Sequence, residues 1–298
     1  MPPQNESSVR VSLVCGFARS PKHPRRKIRG FFVAIAIDVL EPVARLGYAS
    51  KAVIYGIVGV LAILAALNRG GLFTDQSGAL RMVLTRPYGR MLLLVLAIGL
   101  CGYAAWRLLD AVMDPDRHGT SPTGWVTRIG NAIRGCIYGA LGLEAFRLLR
   151  GLRGSNRDQA ELWTARIFDW PFGQYLIAIA GAIVVIYGGS QFVQAVWGEH
   201  GGKLDWSPIP SEFRPLLKKI SRFGVAVRAC LLVTLGVFLV RAALSHDPNQ
   251  AAGPRESMLR LGSLFEGRWF LAFVAAGVIA YAVDQAIQAR CRRIRPVL

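Results

Sequence analysis

The chain has 298 residues, 53% of them hydrophobic and only 18% charged, with a formal charge of +18. A soluble domain carries about 25% charged residues, so this composition points to a bilayer as the solvent. An isoelectric point near 10.6 would suit a nucleic-acid binder, but Lys and Arg sit at the ends of apolar runs and between them, where cations anchor helices to lipid headgroups; no nucleic-acid partner is expected.

Residues 1–30 are polar and basic, with Pro21, Pro24, Arg25, Arg26, Lys27 and Arg29, and read as disordered. The apolar run at 31–40 is broken by Asp38 and is shorter than a membrane span. A basic stretch before a short apolar run resembles a signal peptide, yet Asp38 interrupts it and no small-residue cleavage site follows. An interfacial segment is the expectation, with a start codon assigned too far upstream as the alternative.

Six candidate spans follow, at 46–67, 91–109, 129–149, 175–197, 223–244 and 269–287. The second is the clearest: Met91 to Trp106 holds no charge, and Arg90 and Arg107 close its ends. Arg134 and Glu144 interrupt the third, while Arg228 and Arg241 fall near the ends of the fifth. A charge at mid-span costs about 2.5 to 3.5 kcal/mol and much less near an end, where the side chain reaches the interface.

These spans form three copies of a two-helix unit. Arg45, Gly47, Lys51, Tyr55 and Gly59 of the first helix match Arg128, Gly130, Arg134, Tyr138 and Gly142, then Arg222, Gly224, Arg228, Leu232 and Gly236. From the glycine onward the spacing is four, so the matched residues share one helix face, which reads as an interface. In the second helix, Pro87, Gly89, Gly99, Tyr103, Arg107, Asp110 and Ala111 correspond to Pro171, Gly173, Ile183, Tyr187, Gln191, Gln194 and Ala195. Their third copies are Phe265, Gly267, Gly277, Tyr281, Gln285, Gln288 and Ala289.

Each unit crosses twice, so all three enter from one side as parallel repeats. The predicted fold is an all-α membrane protein of six transmembrane helices, with repeats at 41–115, 124–200 and 216–298 after an extension at 1–40. A pseudo-threefold closed ring is the simplest arrangement, and an open arc of hairpins is the alternative. The side bearing both termini carries about 23 Lys and Arg against about 13 opposite, which places the termini in the cytoplasm of a cytoplasmic-membrane protein.

The five cysteines, Cys15, Cys101, Cys136, Cys230 and Cys291, form no CxxC pair and read as small hydrophobes. His23, His118, His200 and His246 lie in the tail or in loops, without HExxH or helical pairing, so no metal or cofactor is expected. GxSxG and GxxxxGK[ST] are absent, and Asp114 and Asp116 in DPDRHG read as a solvated turn. No enzymatic activity is expected.

The candidate site is a polar girdle at the cytoplasmic end: Lys51, Arg134 and Arg228 from the first helices, Arg107, Gln191 and Gln285 from the second. One reading has the cations reach lipid phosphates while amides and tyrosines join neighbouring helices. The other has three equivalent cations surround a path or pocket and attract an anion or anionic headgroup. Glu144 is expected to pair with Arg147, three residues on, with a proton relay as the alternative.

The segments ARLGYASKAVIYGIVGVLA and GALRMVLTRPYGRMLLLVLAIGLCGYAAWRLLDA resemble a bacterial integral membrane family of unknown function, domain of unknown function 1206. The resemblance spans residues 43–293 and implies a fold and a compartment, but no activity. The third copy departs from it: Leu232 and Val233 replace Tyr-Gly, and Phe265-Glu266-Gly267 replaces Pro-Tyr-Gly, so that unit is expected to pack differently. Two roles follow, a structural or interaction protein of the membrane, or a small channel or transporter with a basic mouth.

Overall fold

The computed structural model describes residues 24–71, 73–113, 122–152, 166–198, 204–247, 259 and 268–292. They form α1 (Pro24–Ala66), α2 (Gln76–Leu84), α3 (Gly89–Met113), α4 (Pro122–Leu149), α5 (Gly173–Val196), α6 (Arg214–Ser245) and α7 (Arg268–Cys291). The architecture is all-α, with one isolated β-bridge, Leu204 to Arg292, among the described residues.

Among the described residues, five stretches are long and apolar enough to cross a membrane: Pro42–Ala66, Gly89–Val112, Gly173–Val196, Arg214–Ser245 and Trp269–Cys291. The expected span at 129–149 lies in α4, whose 28 residues reach about 42 Å at 1.5 Å per residue. Asn131, Arg134 and Glu144 lower its hydropathy, so composition alone supports five spans rather than six. The backbone is helical from Pro24, so the expected disorder at 24–30 and a separate segment at 31–40 give way to one helix running into the first span. Residues 1–23, Asp114, Asp116, His118, His200 and the segment Phe265-Glu266-Gly267 lie outside the described residues.

The helices are arranged as a ring with one loose seam. Between repeats α3 packs on α4, α5 on α6, and α7 returns to α1; within the first and third repeats α1 packs on α3 and α6 on α7. Within the second repeat α4 and α5 stand further apart and meet through long side chains, Arg134 over the Tyr187 ring. The between-repeat seams use the last matched glycine of each first helix. A Cβ on Gly59 would lie 2.5 Å from Ile279 Cγ1, one on Gly142 2.6 Å from Cys101 Sγ, and one on Gly236 2.8 Å from the Gly181 carbonyl oxygen. Only a missing side chain lets these backbones approach so closely.

The first matched residue of each repeat locks the same seams at one end. Arg45 donates to the carbonyls of Ala289 (3.1 Å) and Arg290 (2.8 Å). Arg128 donates to Ala111 (2.8 Å) and Val112 (3.2 Å), and Arg222 to Ala195 and Val196, both at 2.9 Å. Each guanidinium thus satisfies the last, otherwise orphaned carbonyls of the preceding repeat's second helix, at the negative end of its dipole.

The other end is closed by α2. Asp75 caps it, accepting from the Gly78 amide at 2.8 Å, and its residues Ser77, Ala79, Leu80 and Val83 are buried where it packs on α1, α3 and α4. The PYG and PFG turns that follow are equivalent: Tyr88 and Phe172 have φ of 60° and 72°, and the next glycine leaves no room for a Cβ against the preceding turn. Both aromatic rings are exposed, as interfacial aromatics are.

Candidate functional site

The face spacing that aligned the repeats carries the matched cations inward. Lys51 is 3% exposed, so it does not reach a lipid phosphate. Its ammonium donates to the Tyr103 hydroxyl at 3.3 Å and lies 4.4 Å from the Tyr103 ring, 4.6 Å from Tyr138, 5.7 Å from Tyr48 and 6.0 Å from Tyr281. Such rings offer a cation their negative faces. Arg134 and Arg228 repeat the pairing, 5.0 Å over Tyr187 and 4.8 Å over Tyr281. The tyrosine kept in all three repeats is therefore the ring on which that repeat's cation rests.

The rings interlock edge to face: Tyr48 with Tyr103, Tyr103 with Tyr138, and Tyr55 with Tyr281, at 5.1, 5.0 and 4.8 Å. The Tyr55 and Tyr138 hydroxyls share a 3.1 Å hydrogen bond across the centre, and Gln76 of α2 donates to Tyr55 at 3.1 Å. The third equivalent is Leu232, so the centre holds two hydroxyls where strict symmetry would give three. Tyr48, Tyr55, Tyr103, Tyr138 and Tyr281 are all buried.

Arg107 joins this centre to a second polar cluster. It donates to Tyr48 (2.8 Å), Tyr103 (2.9 Å), Asp110 (3.1 Å) and Asn131 (3.3 Å), and Asn131 donates to Asp110 at 3.0 Å. All of these groups are buried and mutually satisfied, which leaves Arg107 no free face for a ligand. Gln285 donates to Asp284 at 2.9 Å, Gln288 donates to it at 2.7 Å, and Ser221 donates to its other oxygen. Gln191, half-buried on α5, follows Tyr187 by one turn.

Of the six sequence-predicted residues, the three cations thus lie on the repeat-matched tyrosines, while Arg107 and Gln285 serve internal networks. Asn131, Ser221, Asp284 and α2 were not among the sequence-based expectations, although Asp75 followed by a short apolar pattern is a helix-start signal. Glu144 is also corrected: it accepts from Ser77 (2.6 Å) and pairs with Arg81 (3.5 Å), both on α2, and not with Arg147. A partner one turn along the same helix is outcompeted by groups that α2 lays directly against it.

Within the repeats one packing distance differs. A Cβ on Gly47 would lie 2.5 Å from Tyr103 Cβ and one on Gly224 would collide with the Tyr281 backbone, whereas one on Gly130 would meet only the Tyr187 ring, at 3.8 Å. The unit that departs in packing is therefore the second, at the α4–α5 seam, not the third, whose sequence departs most.

Parallel two-helix units, interlocked around a buried centre and presenting apolar helices outward, define an all-helical multi-pass membrane protein built from three repeats. Three matches, over residues 46–114, 129–198 and 223–292, place the chain in the family described as Domain of Unknown Function (DUF1206), to which it belongs. It is 31% identical over 239 residues to a Bacillus subtilis (strain 168) protein described as uncharacterized protein YxxB, covering 80% of this chain and 86% of that one. No solved structure matches.

Proposed function

We propose that this protein is a structural or interaction component of the cytoplasmic membrane, without enzymatic activity, crossing six times with both termini in the cytoplasm and bound to membrane lipids, anionic headgroups included. The observation that supports this reading is the filled centre: five tyrosines and Lys51 occupy it, with a hydroxyl pair bridging across. A continuous aqueous path needs a lumen lined by polar groups and open to water. Six crossings are supported by the Arg clasps, which gather the ends of α3, α5 and α7 with the starts of the spanning parts of α1, α4 and α6, while Glu144 meets α2 at the far end.

One observation favours a small channel or transporter with a basic mouth. Lys51, Arg134 and Arg228 are repeat-related cations with no carboxylate within 4 Å among the described residues. Chloride and phosphate flux into liposomes separates the two readings. The parent protein is expected to match empty liposomes; flux above them that disappears when Lys51, Arg134 and Arg228 become Gln would establish the transport reading instead.

A further inference from the structure

We propose that the α4–α5 seam, with Arg134 at its centre and Lys51 and Arg228 behind, is a binding site for a phosphate-type oxyanion. This deepens the reading of a lipid-bound membrane protein and rests on it for where the anion comes from.

Charge is the first argument. Buried cations are retained when a counter-charge or hydrogen-bond acceptors offset their lost hydration. Lys51 and Arg228 share the Tyr281 ring, and Lys51 also faces Tyr138, one helical turn beyond Arg134. Among the described residues, the two buried acids are engaged elsewhere, Asp110 by Arg107 and Asn131, Asp284 by Ser221, Gln285 and Gln288. Three positive groups therefore converge with tyrosine faces and one hydroxyl as their partners, and an anion supplies what is missing.

Geometry is the second. Arg134 Nε is shielded from solvent and has no hydrogen-bond partner, which leaves an unused N–H donor on the residue nearest the seam. The seam is where the ring is widest, since Gly130 stands off from the Tyr187 ring while its two counterparts meet backbone or Cβ. Tyr187 and Gln191 are half-buried there, unlike the fully buried Tyr103 and Tyr281. Among the described residues, the second repeat is thus the one least tightly closed around its cation. A guanidinium offers parallel N–H donors that match two phosphate oxygens, and an ammonium adds a point charge behind it. A lipid phosphate entering between α4 and α5 and a free phosphate entering from the adjacent aqueous side present the same oxygens.

Two measurements on the full-length protein distinguish these sources. Titration of inorganic phosphate into detergent-purified protein reads the free anion. Native mass spectrometry after incorporation into nanodiscs of mixed phosphatidylglycerol and phosphatidylcholine reads the headgroup. Phosphate binding points to the free anion, and selective retention of phosphatidylglycerol points to the lipid; either supports the site. Arg134→Gln is expected to weaken the observed binding at least ~10-fold, as loss of a bidentate charge-assisted contact does, and Gln191→Glu, which places a carboxylate in the seam, to weaken it similarly should Arg134→Gln fold poorly. Arg147→Gln, an exposed cation at the far end of α4, is expected to leave it unchanged. Absence of both signals, or binding indifferent to Arg134→Gln and Gln191→Glu, overturns the proposal. Liposome flux is read separately, so a conducting parent would remove the filled-centre reading without touching the site.

Discussion

At the scale of single residues, burial and partner number decide which polar groups are structural. Arg107 is the clearest case, because its guanidinium is held by four buried oxygens and Asp110 depends on it for charge. Removing one member of a buried ion pair costs about 3 to 5 kcal/mol, since the other charge is left uncompensated. Arg107→Ala is therefore expected to lose most folded protein, measured as monodisperse material in size-exclusion chromatography after detergent extraction. Arg107→Ala/Asp110→Ala, which removes both charges, should recover part of that yield. Recovery no better than the single change would place the cost in packing rather than charge. Arg107 and Asp110 were legible as repeat-matched polar positions. Asn131 was not, because its counterparts in the other two repeats are Tyr48 and Val225, and its amide becomes meaningful only when α4 lies against α3.

At the scale of elements, the helices are held by what their glycines omit and what their first arginines cap. Gly59→Leu and Gly142→Leu would drive a branched side chain into Ile279 and Cys101, at contacts already below 3 Å for a Cβ alone. Overpacking of this kind costs about 1 to 3 kcal/mol or more when backbone must move. Both variants should fall in folded yield, whereas Gly189→Leu, whose Cβ would meet nothing within 4 Å, should be produced normally. Equal yields for all three would mean the glycine seams are not what holds the repeats together. The seam glycines were legible because their spacing of four recurs in every copy. The ring and its loose seam were not, because a periodic pattern identifies a buried face without naming the helix that covers it. The Arg45 clasp on α7 joins the first repeat to the third across 244 residues of sequence, a pairing that no local pattern encodes.

At the scale of the whole molecule, the clasps make the number of crossings testable at one helix. Arg128 near the start of α4 grips the end of α3, and Glu144 near its other end grips α2, which leads directly into the start of α3. If α3 spans, α4 must return across the same thickness, with Asn131 buried against α3 and Arg134 turned toward the α4–α5 seam, as intramembrane polar groups face the bundle interior. Single cysteines introduced into a background with the native cysteines replaced by Ser report the side each position faces through a membrane-impermeant thiol reagent. Val112→Cys and Trp197→Cys, both exposed at the clasp end, are expected to label only when the reagent reaches the cytoplasm. Thr85→Cys, Arg150→Cys and His246→Cys, exposed at the other end, are expected to label in intact cells. Arg150→Cys labelling from the same side as Val112→Cys would take α4 out of the bilayer and, with it, the seam-facing Arg134 on which the oxyanion site depends.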